Sequence, residues 1–291
     1  MARTIFLGTS GFAGAVLGRL ADSPHRPQLV VTRPDRPAGR GRKLAAPPVA
    51  DAARALDLEL FQPENVNERD AFERIAAAQP EAVIVCAFGA LIREPLLSAF
   101  EMLNVHPSLL PRWRGAAPVE RAMMAGDEQT GVCIMRPTAG LDSGPVFLEG
   151  VVPIAPDDTY GTLAPRLQTL GADLLLRTLD ERPEPVEQPE EGITYADKIT
   201  AADRTLDPSA AAAVNDRVVR ALSPHIGARV ELPSGGGFLG VLRAAVRAPE
   251  TAGAVRADGA HLLLGGLELL EVQPAGGRRM DAAAYLRGRT L

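Results

Sequence analysis

The stretch that decides the fold is residues 3–20, RTIFLGTSGFAGAVLGRL. Residues 3–8 are a short apolar run closed by glycine, the pattern of a buried strand, and apolar positions at helical spacing resume around Ala13–Leu20. Gly8, Gly11 and Gly14 are spaced GxxGxxG, not the GxGxxG of a dinucleotide loop. The next strand candidate ends Val30-Val31-Thr32-Arg33, without the acid that would hold a ribose. The glycines therefore read as strand–turn–helix geometry, and a nicotinamide dehydrogenase is the weaker enzyme hypothesis.

Outward from this unit the same couplet repeats. Further strands are expected at Gln28–Thr32, Leu58–Phe61, Ala82–Ala87, Met102–Val105 and Gly131–Met135, with helices at Val49–Leu56, Asp70–Ala78 and Ala117–Ala125. Strands alternating with helices over short links argue for an α/β fold, a Rossmann-like, mostly parallel sheet covered on both faces. Phe147–Ile154 is expected to add a strand, and Thr159–Leu179 a closing helix. Residues 181–191, ERPEPVEQPEE, are too rich in Pro and Glu to bury anything and read as an exposed linker or surface loop. After a helix at Ser209–Leu222 come short glycine-punctuated strands at Ala228–Leu232, Gly237–Val246, Gly253–Arg256, Ala260–Leu264 and Leu267–Gln273, then a helix at Asp281–Arg287. That density of short strands predicts a small OB-like β-barrel. Two domains follow, one over 1–205 that includes the linker and a barrel over 206–291.

Composition narrows the function. At 46% hydrophobic and a mean hydropathy of +0.02, the chain is too balanced for disorder and too polar for a membrane protein. Its 31 basic and 36 acidic residues give a net charge of -5, which argues against an indiscriminate nucleic-acid coat. Cys86 and Cys133 lie in apolar runs, AVIVCAF and GVCIM, and are expected to be buried, unpaired thiols; no Cys/His cluster offers a metal site. MARTIFLGTSGF lacks the long apolar region of a signal peptide, so a cytoplasmic, reducing setting with no membrane partner is expected.

Against that acidic background, Arg33–Lys43 (RPDRPAGRGRK) holds five basic residues and one acid. It has too little apolar content to be core, and is long for a β–α connection. Arg36, Arg40, Arg42 and Lys43 on a Pro/Gly backbone suit phosphate contacts, with plain solvation as the alternative. The most specific stretch is residues 104–115, NVHPSLLPRWRG. Asn104 and His106 leave the same face of a strand end, and the carboxyl ends of parallel strands are where doubly wound folds place chemistry. Asp142 stands in a second glycine-rich turn, AGLDSGP, where a local Asx turn is the competing explanation.

These runs carry a resemblance. TRPDRPAGRGRKL, VCAFGALI, NVHPSLLPRWRGAAP, GLDSGPV, TYADKI and QPAGGRRM span nearly the whole chain. Together they closely resemble the methionyl-tRNA formyltransferase family, which moves a formyl group from 10-formyltetrahydrofolate to the amino group of initiator Met-tRNA. NxHxSLLPxxRG with a downstream GLDxG belongs to the wider folate-dependent formyltransferases, whereas PDRPAGRG and the C-terminal barrel point to the tRNA enzyme. The resemblance implies that Asn104, His106 and Asp142 are catalytic. It implies that folate lies on the backbone of Ser108, Leu109, Leu110 and Pro111, beside a slot lined by Phe88, Gly89 and Leu91. It also implies that Arg36, Arg40, Arg42 and Lys43 meet the tRNA, that the barrel holds the stem's flank, and that no metal is used. A monomer is the default. This chain departs from the usual pattern at Pro107, where glycine is common, at Ser10-Gly11, at Phe88 for a frequent tyrosine, and at Leu206-Asp207-Pro208, which lacks a tryptophan. A sugar-nucleotide or ribonucleotide formyltransferase is the alternative; it would keep the three polar residues without needing the basic loop. An RNA-binding protein without catalysis would not need all three.

Overall fold

A computed structural model describes residues 1–38 and 43–287. Two compact units are present. The first comprises Met1–Pro118, Thr130–Val152 and Ala164–Ala196; the second comprises Val119–Gln129, Pro153–Leu163 and Asp197–Leu291. The Pro/Glu-rich stretch thus lies inside the first unit, and the last change of unit falls at Ala196–Asp197, where the sequence suggests 205.

The first unit is built on a seven-stranded sheet. Its order is Val146–Pro153, Gln129–Met135, Met102–His106, Ala82–Cys86, Thr4–Gly8, Pro27–Val31 and Leu60–Phe61. The five strands from Met102–His106 to Leu60–Phe61 run parallel, whereas Gln129–Met135 lies antiparallel on Met102–His106, with Asn104 opposite Met135 and His106 opposite Cys133. Thr4–Gly8 and Ala82–Cys86 are buried at every position, which is why they read as continuous apolar runs. Each fully buried Ile5, Leu7 or Ile84 side chain contributes about 1.5–3 kcal/mol of burial. The helix Gly11–Ala21 starts where the Ser10 hydroxyl accepts the Ala13 N–H at 3.3 Å, and it buries Phe12, Val16, Leu17 and Leu20 against the sheet side.

Of the three early glycines, only Gly8 is sterically required. A Cβ there would stand 2.6 Å from Phe6 Cε1 and 3.0 Å from the Cys86 carbonyl, whereas Gly11 has open space around it. The glycines therefore serve strand–helix packing, as expected, but one of them does it. Just beyond Gly8, Thr9 Oγ1 donates to the Phe88 carbonyl at 2.7 Å. That bond ties together the loops at the carboxyl ends of two adjacent strands, where the order reverses from one side of the sheet to the other.

In the second unit the helix Ala212–Leu222 covers an antiparallel sheet in the order Ala228–Glu231, Phe238–Val246, Leu267–Pro274, His261–Leu264 and Val255–Asp258, with Met280–Asp281 paired to Leu267–Pro274. Leu222, Leu239, Val241, Leu262, Leu267 and Val272 form its core. Asn215, buried in the helix, is satisfied by both backbone polar groups of Asp207: its amide donates to the carbonyl at 2.8 Å and its oxygen accepts the N–H at 3.0 Å. Among the described residues no helix is long and apolar enough to cross a membrane. Cys86 and Cys133 are buried and free, as their apolar neighbours predict. The basic loop, in contrast, carries structure of its own: Arg36–Ala38 pairs antiparallel with Lys43–Ala45.

Candidate active site

His106 ends its strand with the residue 4% exposed, and its Nε2 lies 3.0 Å from the Trp113 carbonyl. A carbonyl only accepts, so Nε2 carries the proton and Nδ1 is the nitrogen left for chemistry. Nδ1 faces Asp142 Oδ2 at 3.7 Å, within ion-pair range but longer than a hydrogen bond. Asn104, one strand repeat earlier on the same face, turns its amide toward Met135 Sδ at 3.6 Å, a weak acceptor easily exchanged for a better one. The turn that aims the Trp113 carbonyl is backbone-strained, with Trp113 at φ 63° and its N–H held by Thr194 Oγ1 at 2.9 Å.

Asp142 is not a local turn former. Its Oδ2 accepts the Gly115 N–H at 2.8 Å from far along the chain, while its own backbone sits at φ 43°. Gly115 itself has φ 126° and pairs with Ala196, so the short parallel ladder of Arg114–Gly115 with Tyr195–Ala196 presents its N–H to the carboxylate. Gly144, after the aspartate, is also obligatory, because a Cβ there would overlap the Arg136 carbonyl oxygen. The Gln188 amide donates to the carbonyls of Asp142 and Gly144 at 2.8 and 2.7 Å, and its oxygen accepts from Arg114. Sequence reading missed Gln188 and the buried Arg114. Arg114 stood within the quoted NxHxSLLPxxRG motif without a role assigned to it, whereas for Gln188 the one nearby signal was the TYADKI run, whose Thr194, Tyr195 and Ala196 pin this turn.

The SLLP turn is internally closed. Ser108 is fully buried and its hydroxyl donates to the Arg112 carbonyl at 2.7 Å, so what it offers outward is backbone. The Leu110 N–H reaches Cys133 Sγ at 3.4 Å, and a Cβ on Gly131 would stand 2.5 Å from Leu109 Cδ2, so Leu109 lies over that glycine. Pro111 is partly buried. Burial pushes the Cys133 thiol up to about 12, the Leu110 N–H opposing and Glu149 adding to it. Phe88 belongs to the apolar core, Gly89 takes φ 74°, and Leu91 is 61% exposed, so only part of this segment is a wall. Arg36 is paired with Glu64 at 2.7 Å and Lys43 is exposed on the hairpin. Arg40 and Arg42 lie outside the described residues. Among the described residues no group of His, Cys, Asp and Glu could hold a metal ion.

A polar trio at a strand end, with one hydrogen-bond donor, one imidazole and one carboxylate, suits proton transfer coupled to oxyanion stabilisation. Residues 2–179 match the model of the Formyl transferase family. Over its full length the chain is 45% identical to the methionyl-tRNA formyltransferase of Halorhodospira halophila, covering 97% of that protein. The chain belongs to the methionyl-tRNA formyltransferase family. Two solved structures share its fold. Methionyl-tRNA formyltransferase from Clostridium thermocellum superposes with a TM-score of 0.61 at 14% identity, covering 92% of this chain and 99% of that one. HypX from Aquifex aeolicus, in complex with tetrahydrofolic acid, superposes with a TM-score of 0.67 at 16% identity over 98% of this chain, which spans 47% of that larger protein.

Proposed function

We propose that the chain transfers the formyl group of 10-formyltetrahydrofolate to the α-amino group of methionyl initiator tRNA, in the cytoplasm and as a monomer. The observation that carries the reading is the juxtaposition of His106 Nδ1 and Asp142 Oδ2 at 3.7 Å beside Asn104, in a chain related to formyltransferases from end to end. The neutral amine attacks the formyl carbon, the carbonyl oxygen gains charge, and the folate nitrogen leaves with its bonding pair. One proton must go from the amine to that nitrogen. Asn104 donates its amide N–H to the developing oxyanion. His106, with Nε2–H fixed by Trp113, adds a second donor once Nδ1 is protonated; the Asp142 carboxylate stabilises that charge while the oxyanion forms, then takes the amine proton and passes it to the departing folate nitrogen.

The folate fits the backbone of Ser108, Leu109, Leu110 and Pro111 better than their side chains, because Ser108 spends its hydroxyl within the turn. Phe88 supplies apolar surface and Gly89 lets backbone come close, with Leu91 beside them. Arg36, Arg40, Arg42 and Lys43 contact acceptor-stem phosphate. In this reading 206–291 is the OB-like barrel that holds the flank of the stem, and 1–205 is the catalytic domain. A helix on an antiparallel sheet of short strands supports the first of these.

His106→Ala and Asp142→Asn test the reading. Each should lower kcat by about 100-fold or more, the scale of one missing oxyanion donor, while Kd for the folate stays within about twofold. Retention of more than about a tenth of wild-type kcat by either variant, a loss below about 1.4 kcal/mol, removes that residue from the mechanism.

A further inference from the structure

We propose that Gln188, anchored by Arg114, is a positioning residue that holds the Asp142 turn in register with His106. This rests on the catalytic role given above to Asp142. Gln188 lies in the Pro/Glu-rich stretch that reads as a surface loop, but that stretch is fastened to the turn. Val186 forms an isolated bridge with Val146, exchanging both backbone bonds at 2.8 Å. Two residues on, Gln188 uses its whole carboxamide. Its nitrogen donates to the carbonyls of Asp142 and Gly144, and its oxygen receives Arg114 Nε at 3.0 Å and Nη2 at 2.7 Å. A guanidinium only donates and carbonyls only accept, so the amide has one possible orientation.

Arg114 and Gly115 thus grip Asp142 in two places. Gly115 binds the carboxylate directly, and Arg114 binds the backbone through Gln188. Asp142 needs such a grip. A non-glycine residue at φ 43° stays in that conformation only where its surroundings over-determine it, and the 3.7 Å gap to His106 depends on where the turn stands. The residue type is also informative. Glu187, Glu190 and Glu191 surround position 188 in sequence and are exposed. A glutamate at 188 would satisfy Arg114 but point carboxylate oxygens at two carbonyl oxygens. Only an amide answers both sides at this length.

Gln188→Glu separates this role from simple stabilisation, because it gains an ion pair with Arg114 while losing both donations to the turn. The expected result is a thermal midpoint within about 5 °C of wild type, the Arg114 ion pair offsetting the lost donations, KM for Met-tRNA and for 10-formyltetrahydrofolate within about threefold, and kcat lowered about 30–100-fold, the scale of a reacting group misplaced by roughly 1 Å. In an Asp142→Asn background the same substitution should cost less than about threefold further, since the residue it acts through is already disabled. Should Gln188→Glu fail to fold, Gln188→Met, of similar length without the hydrogen bonds, takes the same two measurements. A kcat within twofold of wild type, or the same fold-loss in both backgrounds, overturns the proposal while leaving Asp142 catalytic. Wild-type activity in Asp142→Asn itself would overturn the reading beneath it, and the proposal with it.

Discussion

Gly115→Ala is the single substitution that loads the site most directly. At φ 126° an alanine is strained whatever room it has, and here its Cβ would stand 2.8 Å from the Ala196 carbonyl oxygen and 3.2 Å from its carbon. Those are backbone atoms, and the same carbonyl accepts the N–H groups of Ala116 and Ala117 at 2.7 and 3.1 Å, so it cannot simply move aside. The strained backbone costs about 1–3 kcal/mol. Weakening the Gly115 N–H bond to the Asp142 carboxylate adds about 1.5–3 kcal/mol, the range for a bond to a charged group. Together these predict a loss of about 2.5–6 kcal/mol, which lowers a thermal midpoint by roughly 5–20 °C in a domain of this size. A turn displaced by about 1 Å also predicts a fall in kcat of about 100-fold, beyond any loss of folded enzyme. Scanning calorimetry with steady-state transfer kinetics, well below the variant's midpoint, measures both. A midpoint within about 2 °C of wild type together with kcat within twofold would refute the claim that this glycine holds Asp142.

The buried thiols make stability fall at alkaline pH. An unfolded cysteine ionises near about 8.5, whereas burial holds Cys86 and Cys133 protonated in the fold well above that value. Above about pH 9 the unfolded chain therefore binds fewer protons, and stability declines by about 1.4 kcal/mol per thiol per pH unit. Cys86→Ala/Cys133→Ala should flatten the pH dependence of urea unfolding between about pH 9 and 11; an unchanged slope contradicts it. Replacing Arg40 and Arg42 by alanine should raise KM for Met-tRNA and reduce its salt dependence by about 0.7–0.9 for each phosphate left unneutralised, with KM for the folate nearly constant. Weakened folate binding with unchanged tRNA kinetics would reverse the assignment of that loop.

The parallel core was legible because its strands are buried on both faces, so Thr4–Gly8 and Ala82–Cys86 carry their pattern locally. Asn104 and His106 stood out by sharing one face of a strand end, Asp142 joined them only through the family resemblance, and the fold brings His106 and Asp142 to 3.7 Å. What escaped depends on partners remote in sequence. Arg114 and Gln188 are 74 residues apart and neither sits in a periodic pattern. The two-residue ladder of Arg114–Gly115 with Tyr195–Ala196 is too short to leave one. Polar composition made residues 181–191 a loop, which is correct for most of its exposed side chains and misleading for Gln188. The basic loop's hairpin was likewise hidden, because Pro37 and Leu44 pair through backbone that composition does not reveal. The Ser108 hydroxyl is consumed by the turn it closes, which leaves that turn's backbone as the part able to face a ligand.

The most direct test of the central claim is a competition of acceptors for the wild-type chain. Purified protein and 10-formyltetrahydrofolate are given methionyl initiator tRNA, free methionine and an amino-sugar nucleotide in separate reactions, and kcat/KM is measured for each. The account predicts formyl-methionyl-tRNA as the product, with kcat/KM at least about 100-fold above either small acceptor, corresponding to about 2.7 kcal/mol of transition-state discrimination. Transfer to the sugar-nucleotide amine at equal or greater kcat/KM would contradict it.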